Sequence, residues 1–302
     1  MANLKEVRIR IASVISTQQI TKAMKMVSAA KLRRAQDAIV QMRPYAAKLR
    51  EMMENISDSL DSSTGGVFAT ARPVNKVLII AVNSNRGLCG GFNTNVNRAV
   101  NKLVREDYAA QVKEGNVKVL AIGKKAADFF NKQPNVYAGN HNDVYLKLSF
   151  DAVSAIADKV MKEFADGNYD KVEVVYNQFK NAAVQYVITE QVLPMAPHGP
   201  LTPKGGTPNA QEKGMKADYI FEPNKEELVL DLIPKSIKIQ LYKAILDSHA
   251  SEHGARMTAM NKATDNAGDI LKALRLEYNK RRQAAITGEI LEIVAGAEAL
   301  NG

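Results

Sequence analysis

The sequence predicts an α/β protein in which N- and C-terminal helices form a long antiparallel coiled coil and the middle of the chain forms an α/β domain. Two observations support this: each end has a long segment with a helical pattern and a single proline, and short β-branched runs alternate with helical patterns between them. We place one coiled-coil helix at 1–60 and the other at 234–302. The α/β domain is placed at 74–233, with an irregular excursion at 196–225.

The N-terminal segment has the composition of one long helix. Residues 2–60 lack glycine, contain a single proline, Pro44, where a kink is expected, and are rich in strong helix formers. Apolar residues recur at spacings of three and four, which predicts a narrow coiled-coil seam. The predicted seam residues are Leu4, Val7, Ile11, Val14, Ile20, Met24 and Val27.

The C-terminal segment repeats this pattern, since no proline follows Pro234 and the apolar spacing again alternates between three and four. Its apolar positions are Ala267, Leu271, Leu274 and Tyr278, followed by Ile286, Ile290, Ile293, Ala297 and Leu300. A helix of about 60 residues is roughly 90 Å long and needs another helix along its side. An antiparallel pair within the chain meets that need.

The middle of the chain reads as alternating strands and helices. Strands are predicted at 77–82, 117–122, 172–176 and 184–189, and helices at 93–106, 124–131 and 151–166. This alternation predicts a largely parallel sheet. Glycine and proline then cluster in the excursion, which ends in a predicted strand at 217–221.

Positive charge is concentrated at one end. The formal net charge is +9, and residues 1–50 hold 11 Lys and Arg against two acidic residues. Such a basic helix is either a solvated face or the binding surface for an acidic protein, nucleic acid or anionic lipid. The sequence has no apolar stretch that predicts a membrane span or signal peptide. The single cysteine, Cys89, excludes an internal disulfide and suits the cytosolic side.

The candidate chemical motifs are weak. The glycine-rich loop 84–93 (SNRGLCGGFN) follows the first predicted strand, where phosphate-binding loops lie, but its spacing matches neither G-x-G-x-x-G nor G-x-x-x-x-G-K-[ST]. We therefore favour a tight turn over a nucleotide site, and a buried Cys89 over a nucleophile. His249 and His253 share a helix face but lack a third metal ligand. We expect no catalytic residue, cofactor or metal.

The end of the chain differs from the rest of the helix. Residues 286–302 contain no Lys or Arg and are mostly apolar or small. An apolar helix end exposed to water favours association with another apolar surface that buries it. We expect another protein to enclose it; the alternative is that it docks on its own domain.

Four stretches resemble the gamma subunit of F-type ATP synthase. They are 20–32 (ITKAMKMVSAAKL), 86–93 (RGLCGGFN), 256–267 (RMTAMNKATDNA) and 278–297 (YNKRRQAAITGEILEIVAGA). The last is the most specific, with the family's terminal signature at Ile286, Thr287, Glu289, Glu292, Gly296, Ala297 and Ala299. The resemblance covers both helices and the middle domain, except that the excursion looks longer than the family's common core.

The resemblance implies a non-catalytic rotor shaft with a Rossmann-like domain at its foot. Such a shaft turns inside a ring of alternating alpha and beta subunits and couples proton or ion flow through a membrane c-ring to ATP synthesis or hydrolysis. Met24 and Lys25 are implied to face an acidic loop of the beta subunit, and the other implied ring contacts are Arg256, Gln283, Thr287 and Glu289.

The resemblance also implies the epsilon subunit as a partner, no nucleic acid, and a peripheral location on the cytoplasmic face of the bacterial plasma membrane. Two other hypotheses compete with it. A nucleic-acid binder would use the basic helix, but Met, Val and Ile interrupt its basic residues. A Rossmann-type enzyme with helical arms would need the phosphate fingerprint that is missing here.

Overall fold

The computed structural model describes residues 4–57, 66–70, 72–195 and 225–301. The chain divides into two compact units, one of Met1–Ser28 with Met257–Gly302 and one of Ala29–Arg256. The predicted strand at 217–221 and nearly all of the excursion lie outside the described residues. Two long helices, α1 (Leu4–Ser57) and α7 (Lys225–Asn301), contribute to both units. They continue through Pro44 and Pro234 respectively.

In the first unit α1 and α7 pack antiparallel, as predicted. Side-chain hydrogen bonds join the described parts of the two helices, among them Arg8 Nη2 to the Tyr278 hydroxyl at 2.9 Å, Thr264 Oγ1 to Thr21 Oγ1 at 2.8 Å, and Lys25 Nζ to Asn261 Oδ1 at 2.5 Å. The α7 residue in each pair has a lower number as the α1 residue has a higher one, which shows that the two helices run antiparallel. Val7, Met260, Ala267, Leu271 and Leu274 are buried in this unit.

Part of the predicted seam on α1 is wrong. Ile20 and Val27 are 56% and 57% exposed, whereas their neighbours Thr21 and Ser28 are buried. The Thr21 hydroxyl also donates to the main-chain oxygen of Gln18, and the Ser28 hydroxyl donates to that of Met24. Because these local bonds satisfy the hydroxyls, small polar residues are able to occupy a buried face that an apolar pattern does not reveal.

The second unit contains a five-stranded sheet. Its strands are β1 (Val77–Val82), β2 (Val117–Ile122), β3 (Tyr137–Asn140), β4 (Lys171–Phe179) and β5 (Gln185–Leu193), in the order β3-β2-β1-β4-β5. The first four are parallel, and β5 pairs antiparallel with β4. The largely parallel sheet is therefore confirmed. The prediction missed β3, a short strand whose Tyr-Ala-Gly-Asn sequence alternates between half-buried and exposed residues.

Helices cover both faces of the sheet. The shorter helices are α2 (Gly66–Ala69), α3 (Phe92–Lys102), α4 (Ala109–Lys113), α5 (Lys124–Phe130) and α6 (Phe150–Ala165); a π-helical turn spans Leu103–Asp107 and a 3-10 turn spans Asn142–Tyr145. One core lies between the sheet, α6 and α7, and the other between the sheet, α3 and α5. Strand β1 (VLIIAV) is apolar at every position because both of its faces are buried.

The turn after β2 brings two strand ends into close contact. Gly123 has φ +99°, and a Cβ atom built there would lie 2.1 Å from the main-chain oxygen of Asn83. The main-chain N–H of Asn83 donates to the main-chain oxygen of Ile122 at 2.8 Å, and this bond joins the carboxyl ends of β1 and β2. Only glycine provides both this backbone conformation and this close approach.

Gly123→Ala is expected to lower the free energy of unfolding by at least about 2 kcal/mol, because the new methyl group collides with a main-chain oxygen that cannot rotate away. Gly115→Ala is the matched control: Gly115 also has a positive φ, +74°, but has open space around its Cβ position. The control is expected to lose only about 1 kcal/mol. Denaturant unfolding of the full chain measures both, and equal losses would contradict the argument.

Candidate functional site

The two candidate contact residues on α1 lie at the helix pair. Met24 and Lys25 are both half-buried. The main-chain oxygen of Met24 accepts from Ser28, and Lys25 reaches across to Asn261 on α7. The hydrogen bond to Asn261 holds the ammonium group of Lys25 near the seam while leaving its positive charge unneutralised by that partner, because an amide oxygen carries no charge.

Three further candidates lie near the end of α7. Gln283, Thr287 and Glu289 are all exposed. Large apolar side chains surround them, and their exposed fractions are 48% for Ile286, 55% for Ile290, 63% for Leu291, 70% for Ile293 and 49% for Val294. This exposure favours enclosure by another protein over docking on the chain itself.

The pairing register explains why this segment is uncovered within its own unit. Arg8 pairs with Tyr278, and the described part of α1 begins at Leu4, one helical turn beyond Arg8. Because the helices are antiparallel, Leu4 faces the turn of α7 that follows Tyr278. Residues 286–301 therefore extend past the described start of α1.

Arg256 lies in a different environment from the other five candidates. It is buried, and its Nη2 lies 2.5 Å from Glu252 Oε1. The guanidinium also donates to two main-chain oxygens of the glycine-rich loop, those of Arg86 and Gly87, each at 3.1 Å. Nothing in the sequence pattern around Arg256 indicates this role within the chain. Contact between Arg256 and a partner remains a prediction.

The glycine-rich loop is a compact turn. The Ser84 hydroxyl donates to the Arg86 oxygen at 2.7 Å, and Asn93 Nδ2 donates to Cys89 Sγ at 3.2 Å. Leu88 and Gly90 adopt positive φ angles of 63° and 59°. Cys89 is buried as predicted, and burial raises the pKa of its thiol, which disfavours the nucleophilic thiolate.

The two helical histidines contact each other rather than a third ligand. The Nε2 atoms of His249 and His253 are 3.2 Å apart, and the His249 ring stacks on Tyr145 with centroids 6.0 Å apart. Burial, together with the cations Lys31 and Arg256, lowers the pKa of His249 to about 4 and that of His253 to about 3. In the part of the chain that the structure describes, no group of three or more His, Cys, Asp or Glu side chains is placed to hold a metal ion.

Two buried serines on α7 were missed by the sequence analysis. Ser248 Oγ donates to the Val82 oxygen at 3.5 Å, and Ser251 Oγ donates to the Asn177 oxygen at 2.9 Å. The available signal was the presence of small polar residues three apart on a helix face that is otherwise apolar. No helix among the described residues is long and apolar enough to cross a membrane.

Comparison with known proteins identifies close relatives along the whole chain. The family described as ATP synthase matches residues 3–300. The ATP synthase gamma chains of Flavobacterium johnsoniae and Flavobacterium psychrophilum are 57% and 58% identical over 302 residues, covering 100% of each chain. The ATP synthase gamma chain of Chlorobaculum tepidum is 45% identical over 300 residues, covering 99% of each chain.

Solved structures are also similar. A chain from the central stalk and c-ring of Tetrahymena thermophila mitochondrial ATP synthase has a TM-score of 0.58 and 26% identity, and the match covers 81% of this chain and 99% of that one. A chain of Euglena gracilis mitochondrial ATP synthase has a TM-score of 0.66 and 21% identity, covering 98% of this chain and 94% of that one, and it supports the fold alone.

The stability of the second unit is expected to fall as the pH drops below 6.5, because the unfolded histidines take up protons near their ordinary pKa of 6.5 whereas the folded pair resists protonation until about pH 4. The stabilisation is fully present above pH 6.5. We expect a loss of up to about 5 kcal/mol by pH 4.5, because each of the two histidines contributes about 1.4 kcal/mol per pH unit. His249→Phe, which preserves stacking on Tyr145, should make the decline shallower between pH 6.5 and 5. Parallel unfolding curves for the two proteins would rule out this explanation.

Proposed function

This chain belongs to the ATP synthase gamma-chain family, and from that premise we propose that its exposed helix surfaces meet a surrounding ring of alternating alpha and beta subunits. It is the central-stalk rotor subunit of the F-type enzyme and is not itself catalytic. The proposed contact residues are Met24, Lys25, Gln283, Thr287 and Glu289, which are exposed or half-buried, and Arg256, which is buried in the isolated chain. The proposal divides the chain into a shaft, 1–60 with 234–302, and a foot, 74–233.

The single observation that carries the proposal is the exposed apolar end of α7. Five large aliphatic side chains between Ile286 and Val294 are 48% to 70% exposed. The segment also contains small residues, and a Cβ atom built at Gly288 or Gly296 would meet nothing within 4 Å. We infer that an apolar sleeve of the ring encloses this segment. The only charged side chains of the described part of this segment are three exposed glutamates, Glu289, Glu292 and Glu298, and it has no basic residue, so it makes few strong directional contacts and can turn in such a sleeve.

The basic stretch of α1 supports the second part of the proposed interface. Its 11 Lys and Arg residues among the first 50 favour an acidic protein surface. We propose that an acidic loop of each beta subunit meets α1 at Met24 and Lys25. An exposed ion pair is worth about 0.2 to 1 kcal/mol, so such contacts are able to form and break during a turn without trapping the rotor.

The proposed coupling follows from asymmetry. Two helices that expose different residues around their circumference present a different surface to each of three chemically identical catalytic subunits. Each orientation of the shaft therefore stabilises a different nucleotide state in each subunit. The coupling is reciprocal: nucleotide exchange turns the shaft, and a turned shaft changes nucleotide affinity.

The chain is part of an ATP synthase that has a catalytic ring and a c-ring. We further propose the epsilon subunit as a direct partner and the cytoplasmic face of the bacterial plasma membrane as the location of the complex.

Met24→Lys is expected to lower the number of protons pumped per ATP hydrolysed by about twofold or more, because a second cation next to Lys25 strengthens the contact with the acidic loop in one orientation. Met26→Lys is the matched control, since Met26 is 61% exposed and lies two residues along the same helix, on another face. The measurement uses complexes reconstituted with alpha and beta subunits and the membrane ring in vesicles.

The Met24→Lys complex is expected to assemble as well as the parent complex, with assembly measured by co-elution of the subunits. An unchanged pumping ratio in Met24→Lys, or an equal loss in Met26→Lys, would refute the proposed contact at Met24.

A further inference from the structure

Helix α7 lies across the carboxyl ends of β1 and β4. The strand order places β2 on one side of β1 and β4 on the other, so the chain reverses its direction of winding between β1 and β4. In open α/β sheets, ligands bind in the crevice outside the carboxyl ends of the strands at such a point. In this protein Ser248 of α7 reaches the last residue of β1, and Ser251 reaches Asn177 of β4.

A glycine allows α7 to approach the turn that follows β4. A Cβ atom built at Gly254 would lie 3.2 Å from both the Cα and the main-chain oxygen of Ala182, which connects β4 to β5. That distance is shorter than an ordinary van der Waals contact, so a larger residue would push the helix outward. The wall of the crevice on the β4 side is therefore closed by the backbone of the helix.

On the β1 side of the crevice, Arg256 holds the glycine-rich loop against α7. Its guanidinium binds the main-chain oxygens of Arg86 and Gly87 and the carboxylate of Glu252 at the same time. Arginine is suited to this arrangement because its planar fork presents several donors in fixed directions. The Glu252 carboxylate balances the buried cation, and the side chains of Arg256 and Glu252 are only 8% and 10% exposed.

We propose that Arg256 is a positioning residue which, together with Glu252, clamps the glycine-rich loop to α7. Their side chains then fill the crevice in which other folds of this topology bind a ligand. The clamp ties the loop after β1 to the same helix that contributes Ile237, Leu241 and Ile245 to the core. The loop and the helix then move as one body. This inference goes beyond the rotor function, since the clamp is complete within the isolated chain.

The chain contains its own reporter for this clamp. Cys89 is the single cysteine of the sequence, it is 1% exposed, and it lies two residues after Gly87. A thiol reagent reaches Cys89 only when the loop opens. The labelling rate of the native chain therefore measures how often the loop leaves α7.

The test compares Arg256→Gln with the parent chain in maleimide labelling of Cys89 under native conditions. Loss of the ion pair and of charged hydrogen bonds to the loop is expected to raise the labelling rate about tenfold or more. Arg256→Lys should give an intermediate rate, because an ammonium lacks the planar fork needed to hold all three acceptors. Arg275→Gln, at an exposed position on α7, is the control and should label at the parent rate.

Amide hydrogen exchange separates the clamp from a general loss of stability. The clamp predicts that Arg256→Gln increases exchange in the loop 84–91 while β1 amides keep their protection. An unchanged labelling rate would overturn the proposal, as would labelling that rises only in step with β1 exchange. In the parent chain, loop amides should be as protected as those of residues 252–256, and much faster exchange of the loop would also overturn it. Because the ring is absent, failure here leaves the rotor function intact.

Discussion

The packing of one continuous helix, α7, is the constraint on which the rest of the structure depends. In the second unit its apolar face completes a core of the sheet, through residues such as Ile237 and Leu241. In the first unit its later residues, including Leu271 and Leu274, are buried and the helix pairs with α1. An unbroken helical backbone joins the two stretches. Neither stretch can leave its partner without exposing buried apolar surface, so each unit is stabilised by its own part of α7.

Polar side chains determine the register in which these apolar surfaces pack. Thr21 and Thr264 join hydroxyl to hydroxyl across the helix pair, while Ser248 and Ser251 bind the ends of β1 and β4. A displaced helix would take the buried hydroxyls of Ser248 and Ser251 away from these acceptors, at a cost of about 1 to 3 kcal/mol each. Thr21 and Thr264 would keep their local bonds to the main-chain oxygens of Gln18 and Met260. Apolar burial therefore provides the stability, and the small polar residues select one register among several that would bury similar area.

Much of the fold was predictable because periodicity is a local property of the sequence. Strands β1 and β2 have the predicted bounds, since β1 is a continuous buried apolar run and β2 is apolar and buried at every position except Lys118. Periodicity failed where burial does not require an apolar side chain. It selected Ile20 and Val27 for the seam, whereas the structure buries Thr21 and Ser28.

The candidate site was predictable only in part. The composition of residues 286–302, which are mostly apolar or small and include no Lys or Arg, indicated a surface for another protein. The environment of Arg256 was not predictable, since its two loop acceptors are main-chain oxygens about 170 residues away in the sequence. Main-chain oxygens occur in every residue and leave no mark on the sequence pattern. Family resemblance assigned Arg256 to an interface, and only the packing of α7 on the loop reveals its role within the chain.

Single-molecule rotation tests the central claim most directly. The chain would be assembled with alpha and beta subunits from the same source, with a bead attached through Lys113→Cys, since Lys113 is exposed whereas Cys89 is buried. The account predicts one copy of the chain per ring and stepwise rotation of the bead in one direction while ATP is hydrolysed. A complex that hydrolyses ATP with a stationary bead, or a chain that fails to enter the ring, would contradict it.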